Sequence, residues 1–479
     1  MITLSQYRAS AGRVQVPCHR SRPRVRTSPR PFVAGDTAPR KPLLGVQATR
    51  EHAELESSTG LVQQTTDEQT LELKNEGSTE KEKQEIAFID DDGNRIPVMA
   101  ADYGFRSGSG RLYQDGYGSV PSSATALALG NFKKEFMELR KSVRFNEYKE
   151  LSSTMDPNPL SKAALVVGSA LQSTLTKADS WLEGRGVLGK VEQDTARASL
   201  TPKERKVLEK LQALRLDDRR VIAREHKREK EGRGVKAPWL IKGSYVFLCW
   251  VLDILYANRP IQRFWVLETV ARMPYFAYIS MLHLYESLGW WRAGAELRRI
   301  HFAEEWNELH HLQIMETLGG DHLWIDRFFA EHAAVFYYWV IILMFFASPS
   351  AAYVFSELVE NHAVDTYSEF LEENKEVLQG IPPPLVAVTY YKSGDLYLFD
   401  ALHTEWESGS IRRPECNNLY DVFVNIRDDE LEHVATMKAC AENTIKPKMD
   451  GPKGLEEAKD QVTKLGTSNV NNKEAQEVI

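Results

Sequence analysis

Two short motifs in this 479-residue sequence each place a glutamate three residues before a histidine. They are Glu308/His311 in NELHH and Glu430/His433 in DELEH, 122 residues apart. None of the other histidines, of twelve in all, has a glutamate at this spacing. Side chains at i and i+3 lie on one face of a helix, one turn apart, so each pair can bind the same metal ion.

Two further glutamates stand where charged residues are unexpected. Glu268 interrupts RFWVLETVARMPYFAYISML, and Glu360 closes a long apolar run in FSELVENHA. A lone glutamate from each of two helices, with Glu-x-x-His from each of two others, is the ligand pattern of ferritin-like di-iron proteins. We therefore predict an all-α fold, a ferritin-like four-helix di-iron bundle, whose metal ligands are Glu268, Glu308, His311, Glu360, Glu430 and His433.

The donor types of these residues suit two divalent cations. Four carboxylates offset the charge of the cations, and two imidazoles bind as neutral ligands, so the buried site is electrically balanced. Oxygen and imidazole donors suit iron or manganese better than a metal that prefers thiols. Taken alone, Glu268 could form a surface ion pair with Arg272, and Glu360 and His433 could be exposed. The order of all six residues favours the metal centre, with two iron ions as the cofactor.

Three further residues are candidates for roles around this centre. Tyr367 follows Glu360 by seven residues, two turns along the same helix face and about 10 Å along its axis. It could pass an electron and a proton to the metals, or it could be a packed core tyrosine. Asn307 and Asp429 each precede a ligand glutamate, and we predict that they orient the ligand imidazoles by hydrogen bonding.

The predicted metal centre lies in the part of the chain that is rich in aromatic residues and has helical periodicity, residues 236–445. Two of its segments are too apolar for ordinary surface helices: 239–257, and the charge-free run 332–356, which Pro349 interrupts. The second segment could span a bilayer once, or be a buried core helix, or lie in one leaflet. The scattered Trp and Tyr residues favour two additional interfacial membrane-binding helices in a monotopic protein.

The N-terminal segment has a different composition. Residues 1–50 carry ten basic residues and one acidic residue, Asp36, and they lack an apolar stretch of the secretory type. This composition predicts an organelle transit peptide. The alternative is a disordered basic tail that binds an acidic partner.

The remaining segments flank the predicted metal-binding domain. Residues 51–95 carry thirteen acidic and four basic residues, which predicts a disordered acidic linker. We interpret residues 96–235 as an extension of unknown role, with one highly charged surface helix at 201–234. Residues 446–479 are polar and are predicted to be a disordered tail.

The overall composition excludes several protein classes. The chain is 42% hydrophobic and 27% charged, with a mean hydropathy of −0.40, which excludes a polytopic membrane protein. Its four cysteines contain no C-x-x-C motif, so neither a disulfide scaffold nor a zinc ribbon is expected. The formal net charge of −7 gives no support for a nucleic-acid partner.

About 210 of the 479 residues resemble a known family, the alternative oxidases. The resemblance lies in LETVARMPYFAY, HFAEEWNELHHLQIMETLGG, SELVENHAVDTY and NLYDVFVNIRDDELEH. Within that family the chain is similar to the plastid terminal oxidase branch. The segment between the last two ligand motifs is longer than in mitochondrial members, and His362 stands where those members carry a third consecutive glutamate.

This resemblance implies a quinol oxidase. It implies a monotopic protein at the stromal face of the chloroplast thylakoid, with plastoquinol and O2 as partners and no proton pumping. O2 would be reduced by four electrons to water, which relieves over-reduction of the plastoquinone pool and supports carotenoid desaturation. Tyr367 would be the redox tyrosine, and Arg263, Leu267 and Thr366 would line the quinol pocket, with His362 altering its polar end. The chain could be a monomer or a homo-oligomer.

Three other functions are compatible with parts of this pattern. A di-iron monooxygenase acting on a quinone or lipid would share the ligand set. A membrane-docked ferritin-like iron store or sensor would need an iron path or a cage-forming surface, and the sequence indicates neither. A purely structural interfacial protein would leave four carboxylates in a predicted buried context unexplained.

Overall fold

The computed structural model describes residues 87–90, 93–105, 120–145, 159–192, 200–291, 295–393 and 414–442. These residues form an almost entirely helical structure, which confirms the predicted all-α class. The only strands among them, β1 (Ala87–Ile89) and β2 (Arg95–Pro97), pair antiparallel with Phe88 opposite Ile96. The predicted transit peptide at 1–50, the part of the linker before residue 87 and the predicted tail at 446–479 lie outside the described residues.

The described residues contain eleven helices, numbered here in chain order. They are α1 (Ala124–Phe145), α2 (Pro159–Gly184), α3 (Pro202–Gln212), α4 (Asp218–Lys230), α5 (Trp239–Leu255), α6 (Pro260–Ser287), α7 (Ala295–Thr317), α8 (Trp324–Ala347), α9 (Pro349–Gln379), α10 (Leu385–Ser393) and α11 (Leu419–Ala441).

Helices α6, α7, α9 and α11 form the four-helix bundle, in which α6 packs on α7 and α9 packs on α11. Local sequence sets where these helices begin. Pro260 and Pro349 occupy the first turns of α6 and α9, where a missing backbone N–H costs nothing. Ser348 accepts a hydrogen bond from the backbone N of Ala351 at 3.3 Å, and Asn418 caps α11 in the same way.

Two separate apolar clusters hold the bundle together. The first includes Phe264, Trp265, Phe370 and Phe423, and the second includes Tyr278, Met281, Phe345 and Met437. Burial of each such side chain stabilises the fold by about 1.5–3 kcal/mol. On α6, α9 and α11 the predicted ligand glutamates lie between the two clusters in sequence, so apolar packing on both sides holds them in one layer.

Helices α5 and α8 pack outside the bundle and expose apolar side chains. Trp239 and Phe247 on α5 and Phe336, Trp339 and Phe346 on α8 are all more than half exposed. Helix α8 ends at Ala347, two residues before the Pro349 that begins α9, as the proline predicts. Among the described helices, α8 alone is long and apolar enough to cross a membrane, on length and composition only.

The single charged helix predicted for residues 201–234 is wrong, because this segment forms two helices, α3 and α4. Thr201 and Glu204 form a capping box at the start of α3, and Asp217 caps α4 by accepting a hydrogen bond from the backbone N of Arg219. Between the helices, Leu214 is buried at 1% exposure. Burial of this apolar residue favours a break that helix periodicity did not predict.

The acidic linker predicted to extend to residue 95 ends earlier. The hairpin strands β1 and β2 begin at Ala87, and their central side chains, Phe88 and Ile96, are both 4% exposed. Strand alternation directs these two side chains to the same face of the hairpin, where both are buried. The chain then contacts the bundle, because the backbone N of Met99 donates to the carbonyl of Pro383 at 2.9 Å.

We predict that Gly320→Ala destabilises the bundle by about 1–3 kcal/mol through overpacking. Gly320 follows α7, and a Cβ there would lie 2.4 Å from Cβ of Trp265 and 3.0 Å from the carbonyl of Met315. The measurement is the free energy of unfolding in urea, in detergent. Gly130→Ala is the control, since a Cβ at that position of α1 meets no atom within 4 Å. Equal stability of the two variants would contradict the packing argument.

Candidate metal centre

The structure brings all six predicted ligands together in the layer between the two apolar clusters. Their donor atoms form two groups of four, and within each group the atoms lie within 4.8 Å of one another. The first group is Glu268, Glu308, His311 and Glu430, and the second is Glu308, Glu360, Glu430 and His433. Because Glu308 and Glu430 belong to both groups, each can bridge two metal ions.

The distances within the site show how the histidines face the carboxylates. Nδ1 of His311 lies 3.3 Å from Oε1 of Glu430, 3.7 Å from Oε2 of Glu268 and 3.8 Å from Oε2 of Glu308. Nδ1 of His433 lies 2.9 Å from Oε1 of Glu308 and 3.5 Å from Oε2 of Glu430. Each imidazole therefore directs Nδ1 towards a group of carboxylate oxygens.

Several of these buried donor atoms form no hydrogen bond of acceptable angle, although other donor atoms of the site lie close to them. They are both carboxylate oxygens of Glu308, Nδ1 of His311, and both ring nitrogens of His433. All six predicted ligands are at most 2% exposed, so water does not hydrate these atoms freely. Buried polar atoms without partners are costly, and a bound cation would satisfy them. The residues present therefore fit two metal ions.

The electrostatics of the ligand layer reflect four carboxyls confined together. Burial, with the neighbouring charges of Glu308 and Glu430, raises the pKa of the Glu268 carboxyl well above its usual value. Burial and Glu430 raise the pKa of Glu360 in the same way. Burial also opposes ionisation of Glu308, but the imidazoles of His311 and His433 lower its pKa below the usual value. Cation binding would thus displace protons from Glu268 and Glu360.

Of the two residues predicted to orient the imidazoles, Asp429 contacts His311 and Asn307 contacts Asp429. Oδ2 of Asp429 lies 3.2 Å from Nε2 of His311, opposite the nitrogen that faces the carboxylates. Nδ2 of Asn307 donates to the same Oδ2 at 3.0 Å, and Tyr391 donates to it at 2.9 Å. Asn307 therefore holds Asp429 rather than an imidazole. Tyr391 was not predicted, because α10 carries no ligand motif.

Two tyrosines cross the site symmetrically. The hydroxyl of Tyr367 on α9 donates to Glu268 of α6, and the hydroxyl of Tyr275 on α6 donates to Oε1 of Glu360 on α9 at 2.8 Å. Each tyrosine follows the glutamate of its own helix by seven residues and contacts the glutamate of the other helix. Tyr275 was not predicted, although its spacing from Glu268 matches that of Tyr367 from Glu360.

The surface ion pair suggested for Glu268 and Arg272 is not formed. Arg272 instead pairs with Glu305 of α7, whose Oε1 lies 3.1 Å from Nε of the arginine. A second buried polar cluster lies one turn before Glu308 on α7. His301 lies 2.7 Å from Oε2 of Glu304 and 3.0 Å from the hydroxyl of Tyr353. This cluster was also not predicted, because His301 and Glu304 are close in sequence but the contact with Tyr353 joins α7 to α9.

An apolar cavity of about 270 Å³ adjoins the candidate metal centre. Glu268, Glu360, Tyr367 and Glu430 line its buried end, and its other lining residues include Phe247, Phe329 and Phe336, which are exposed side chains of α5 and α8. The cavity therefore leads from the ligand layer towards the exposed apolar surface of these two helices.

The three residues predicted to line a quinol pocket occupy different positions. Leu267 lines the apolar cavity. Arg263 lines a neighbouring polar cavity of about 280 Å³, which shares Tyr245, Cys249 and His362 with the first. Thr366 is buried, its hydroxyl donates to the carbonyl of His362 at 2.7 Å, and it is not among the described residues that line either cavity.

We predict that loss of a shared carboxylate removes both metal ions, whereas loss of an unshared one removes a single ion. Glu308→Ala takes a donor from both groups, and Glu360→Ala takes one only from the second. After iron loading and desalting, elemental analysis should give about two ions per wild-type chain, about one for Glu360→Ala and almost none for Glu308→Ala. Equal metal contents in the two variants would refute the two-group arrangement.

Comparison with known proteins identifies the domain that carries this site. Residues 236–442 match the family model described as alternative oxidase. The chain is 54% identical over 209 residues to the chloroplastic/chromoplastic ubiquinol oxidase 4 of Arabidopsis thaliana, covering 42% of this chain and 59% of that protein. It is 24% identical over 198 residues to the mitochondrial ubiquinol oxidase 1a of the same plant, covering 41% of this chain and 49% of that protein.

The matched region contains α5 to α11 and all six predicted ligands, whereas α1 to α4 lie outside it. The chain spans about half to three fifths of the length of these two relatives. The identity is more than twice as high to the chloroplastic relative as to the mitochondrial one. Residues 236–442 are therefore similar to the alternative oxidase family, and the comparison supports the plastid terminal oxidase branch.

Proposed function

We propose that this protein is a plastoquinol:oxygen oxidoreductase with a di-iron centre held by the six predicted ligands. The observation that carries the proposal is the position of the two ligand groups at the buried end of an apolar cavity. A site that stored or sensed iron would need a polar path for the ion, whereas this cavity suits an apolar reductant. The ubiquinol oxidase names of the relatives support the same activity.

The cavity supports a lipid-soluble quinol as the substrate. Its lining is mainly aliphatic and aromatic, and it leads to exposed Phe247 and Phe336 on α5 and α8. The quinol would enter laterally between these helices, with its ring towards Glu268. The similarity to a chloroplastic relative supports plastoquinol as the donor and a plastid location. We extend this location to the stromal face of the thylakoid.

The residues at the buried end of the cavity can handle the protons of the reaction. Tyr367 hydrogen-bonds to Glu268, so this pair can accept a proton from a quinol hydroxyl that reaches the cavity end. Tyr275 and Glu360 form an equivalent pair on the opposite side. Asp429 holds His311 in one orientation. When bound, the two iron ions would transfer electrons from the quinol to O2.

The overall reaction would convert two quinols and one O2 into two quinones and two waters. We propose that the reaction is not coupled to proton pumping, as the resemblance to the alternative oxidases implies, so that the free energy is released as heat. An enzyme of this kind would relieve over-reduction of the plastoquinone pool and could regenerate the quinone required for carotenoid desaturation.

Membrane attachment in this proposal is monotopic. Exposed aromatic side chains of α5 and α8 would enter one leaflet, and Trp and Tyr residues are favoured at that interface. Only 22% of the most apolar 18-residue stretch of α8 is buried inside the structure, whereas a core helix would be mostly buried. A homo-oligomer would be compatible with this attachment, provided that both copies place α5 and α8 in the same leaflet.

A di-iron monooxygenase acting on a quinone or lipid is the second candidate. It would use the same ligands and the same apolar cavity, and only the fate of the oxygen atoms distinguishes it. An oxidase reduces both atoms to water, whereas a monooxygenase leaves one in the organic product.

We predict that iron-loaded protein consumes one O2 per two molecules of decyl-plastoquinol without forming an oxygenated product. Glu268→Ala should lower this rate at least 100-fold while leaving the fold intact, because the mutation removes a ligand and the hydrogen-bond partner of Tyr367. The test measures the rate by oxygen uptake, the product by mass spectrometry of the quinone, and the fold by circular dichroism. Glu305→Ala, at the partly buried ion pair with Arg272, is the control, because Glu305 is not one of the predicted ligands.

The outcomes of this assay separate the candidate functions. An oxygenated quinone would favour the monooxygenase. Iron content without oxygen uptake would favour a store or sensor. Full activity of Glu268→Ala would exclude that residue from the site.

We predict that Trp339→Glu lowers partitioning into phosphatidylcholine vesicles about tenfold or more. Trp339 on α8 is 58% exposed, and its replacement removes apolar area from the proposed membrane surface and adds a charge. Trp181→Glu is the matched control, because Trp181 on α2 is 55% exposed and lies outside that surface. Co-flotation of protein with the vesicles makes the measurement. An equal loss in both variants would argue against α8 as the membrane surface.

A further inference from the structure

The polar cavity beside the apolar one is built partly by a helix that lies outside the alternative oxidase domain. Its lining comes from α4, α5, α6 and α9, and His362 of α9 is shared with the apolar cavity. His362 is 6% exposed and Arg263 of α6 is 1% exposed. A molecule in the apolar cavity therefore meets a polar wall at His362, and α4 supplies the residues behind that wall.

Glu225 of α4 makes the closest contacts with this wall. Its Oε1 lies 2.9 Å from Nδ1 of His362, and it accepts a hydrogen bond from the hydroxyl of Tyr245 on α5. On the other edge of the ring, Nε2 of His362 lies 3.2 Å from Nη2 of Arg263. The imidazole is thus held between a carboxylate and a guanidinium, which fixes the plane and direction of the ring.

A second carboxylate of α4 acts on Arg263. Oδ1 of Asp218 lies 2.7 Å from Nη1 of Arg263, and Oδ1 of Asp253 on α5 lies 2.9 Å from the same atom. Asp218 and Glu225 are seven residues apart, so they lie on one face of α4, two turns from each other. One face of α4 therefore carries Glu225, which contacts one edge of the His362 ring, and Asp218, which holds the Arg263 that contacts the other edge.

Arginines on α4 hold the helix rigidly against α9. Arg220 and Arg224 both pair with Glu369, at 3.1 and 2.9 Å, and Arg228 pairs with Asp365. The Glu369 carboxylate is only 2% exposed, whereas Arg220 and Arg224 are 62% and 29% exposed, so these pairs join a buried carboxylate to arginines that reach the surface. The contacts of Glu225 with the cavity wall are consequently made by a fixed helix.

We propose that Glu225 is a positioning residue for the head group of the quinol. By holding His362 and Tyr245, which both line the apolar cavity, it fixes the cavity wall that the head group of a para-quinol would contact. This inference rests on the proposed quinol oxidase function and adds a determinant of substrate binding that lies outside the family domain. Glu225 itself makes no contact with the reacting atoms, so its effect is on quinol binding.

The test compares Glu225→Gln with Glu229→Gln in the full-length iron-loaded protein. Glu229 lies four residues further along α4 and pairs with Lys242, and both side chains of this pair are 48% exposed. We expect Glu225→Gln to raise the KM for decyl-plastoquinol about tenfold with kcat within twofold of the wild type. Glu229→Gln should leave both constants within twofold.

A binding measurement without turnover provides a second readout. Quenching of tryptophan fluorescence by decyl-plastoquinone reports binding in the metal-free protein, since Trp250 lines the polar cavity. The Kd should rise about tenfold in Glu225→Gln. Tyr245→Phe, which removes one donor to Glu225 and keeps the ring packing, should raise Kd severalfold, and it replaces Glu225→Gln if that variant does not fold.

The possible results distinguish this inference from the proposed function. If the wild type binds and oxidises the quinol, and Glu225→Gln changes neither KM nor Kd by more than twofold, the inference is overturned alone. A loss confined to kcat would also overturn it, because a positioning role predicts weaker binding. If the wild type neither binds the quinone nor oxidises the quinol, the proposed function fails and the inference fails with it.

Discussion

The structure depends on placing four carboxylates in the interior of a helical bundle. Uncompensated buried charges cost several kcal/mol each, so these groups must be protonated, paired or bound to cations. Burial raises the pKa of Glu268 and Glu360, while His311 and His433 keep Glu308 ionised. Apolar clusters on both sides of the ligand layer stabilise the bundle enough to tolerate this cost. The buried polar layer is therefore maintained by the packing around it.

Contacts around the layer repeat on its two sides. Tyr275 and Tyr367 each cross to the glutamate of the opposite helix, which ties α6 to α9 at the level of the site. Asp429 and its donors orient His311 from outside. These hydrogen bonds are shielded from water. In the protein interior, polar networks are strong when all their members are satisfied. They hold the candidate ligands in place before any cation binds.

The helices outside the bundle connect the site with its surroundings. Helices α5 and α8 enclose the apolar cavity and expose aromatic side chains beyond it. Helix α4, which the alternative oxidase match does not include, closes the polar end through Asp218 and Glu225. The hairpin at Ala87–Pro97 and the following residues pack against the bundle on another side. Part of the segment before the family domain is thus integral to its structure.

The sequence by itself determined the all-α class and predicted the six residues that meet in the ligand layer. This was possible because an i, i+3 pair shares a helix face whatever surrounds it, and because glutamates are conspicuous in apolar helices. The tertiary structure alone decided that Tyr367 reaches Glu268, that Asn307 acts through Asp429, and that Thr366 lies off both cavities. It also decided the break at Leu214 and the partners of Glu225. Each of these depends on contacts between segments far apart in sequence, which local spacing does not specify.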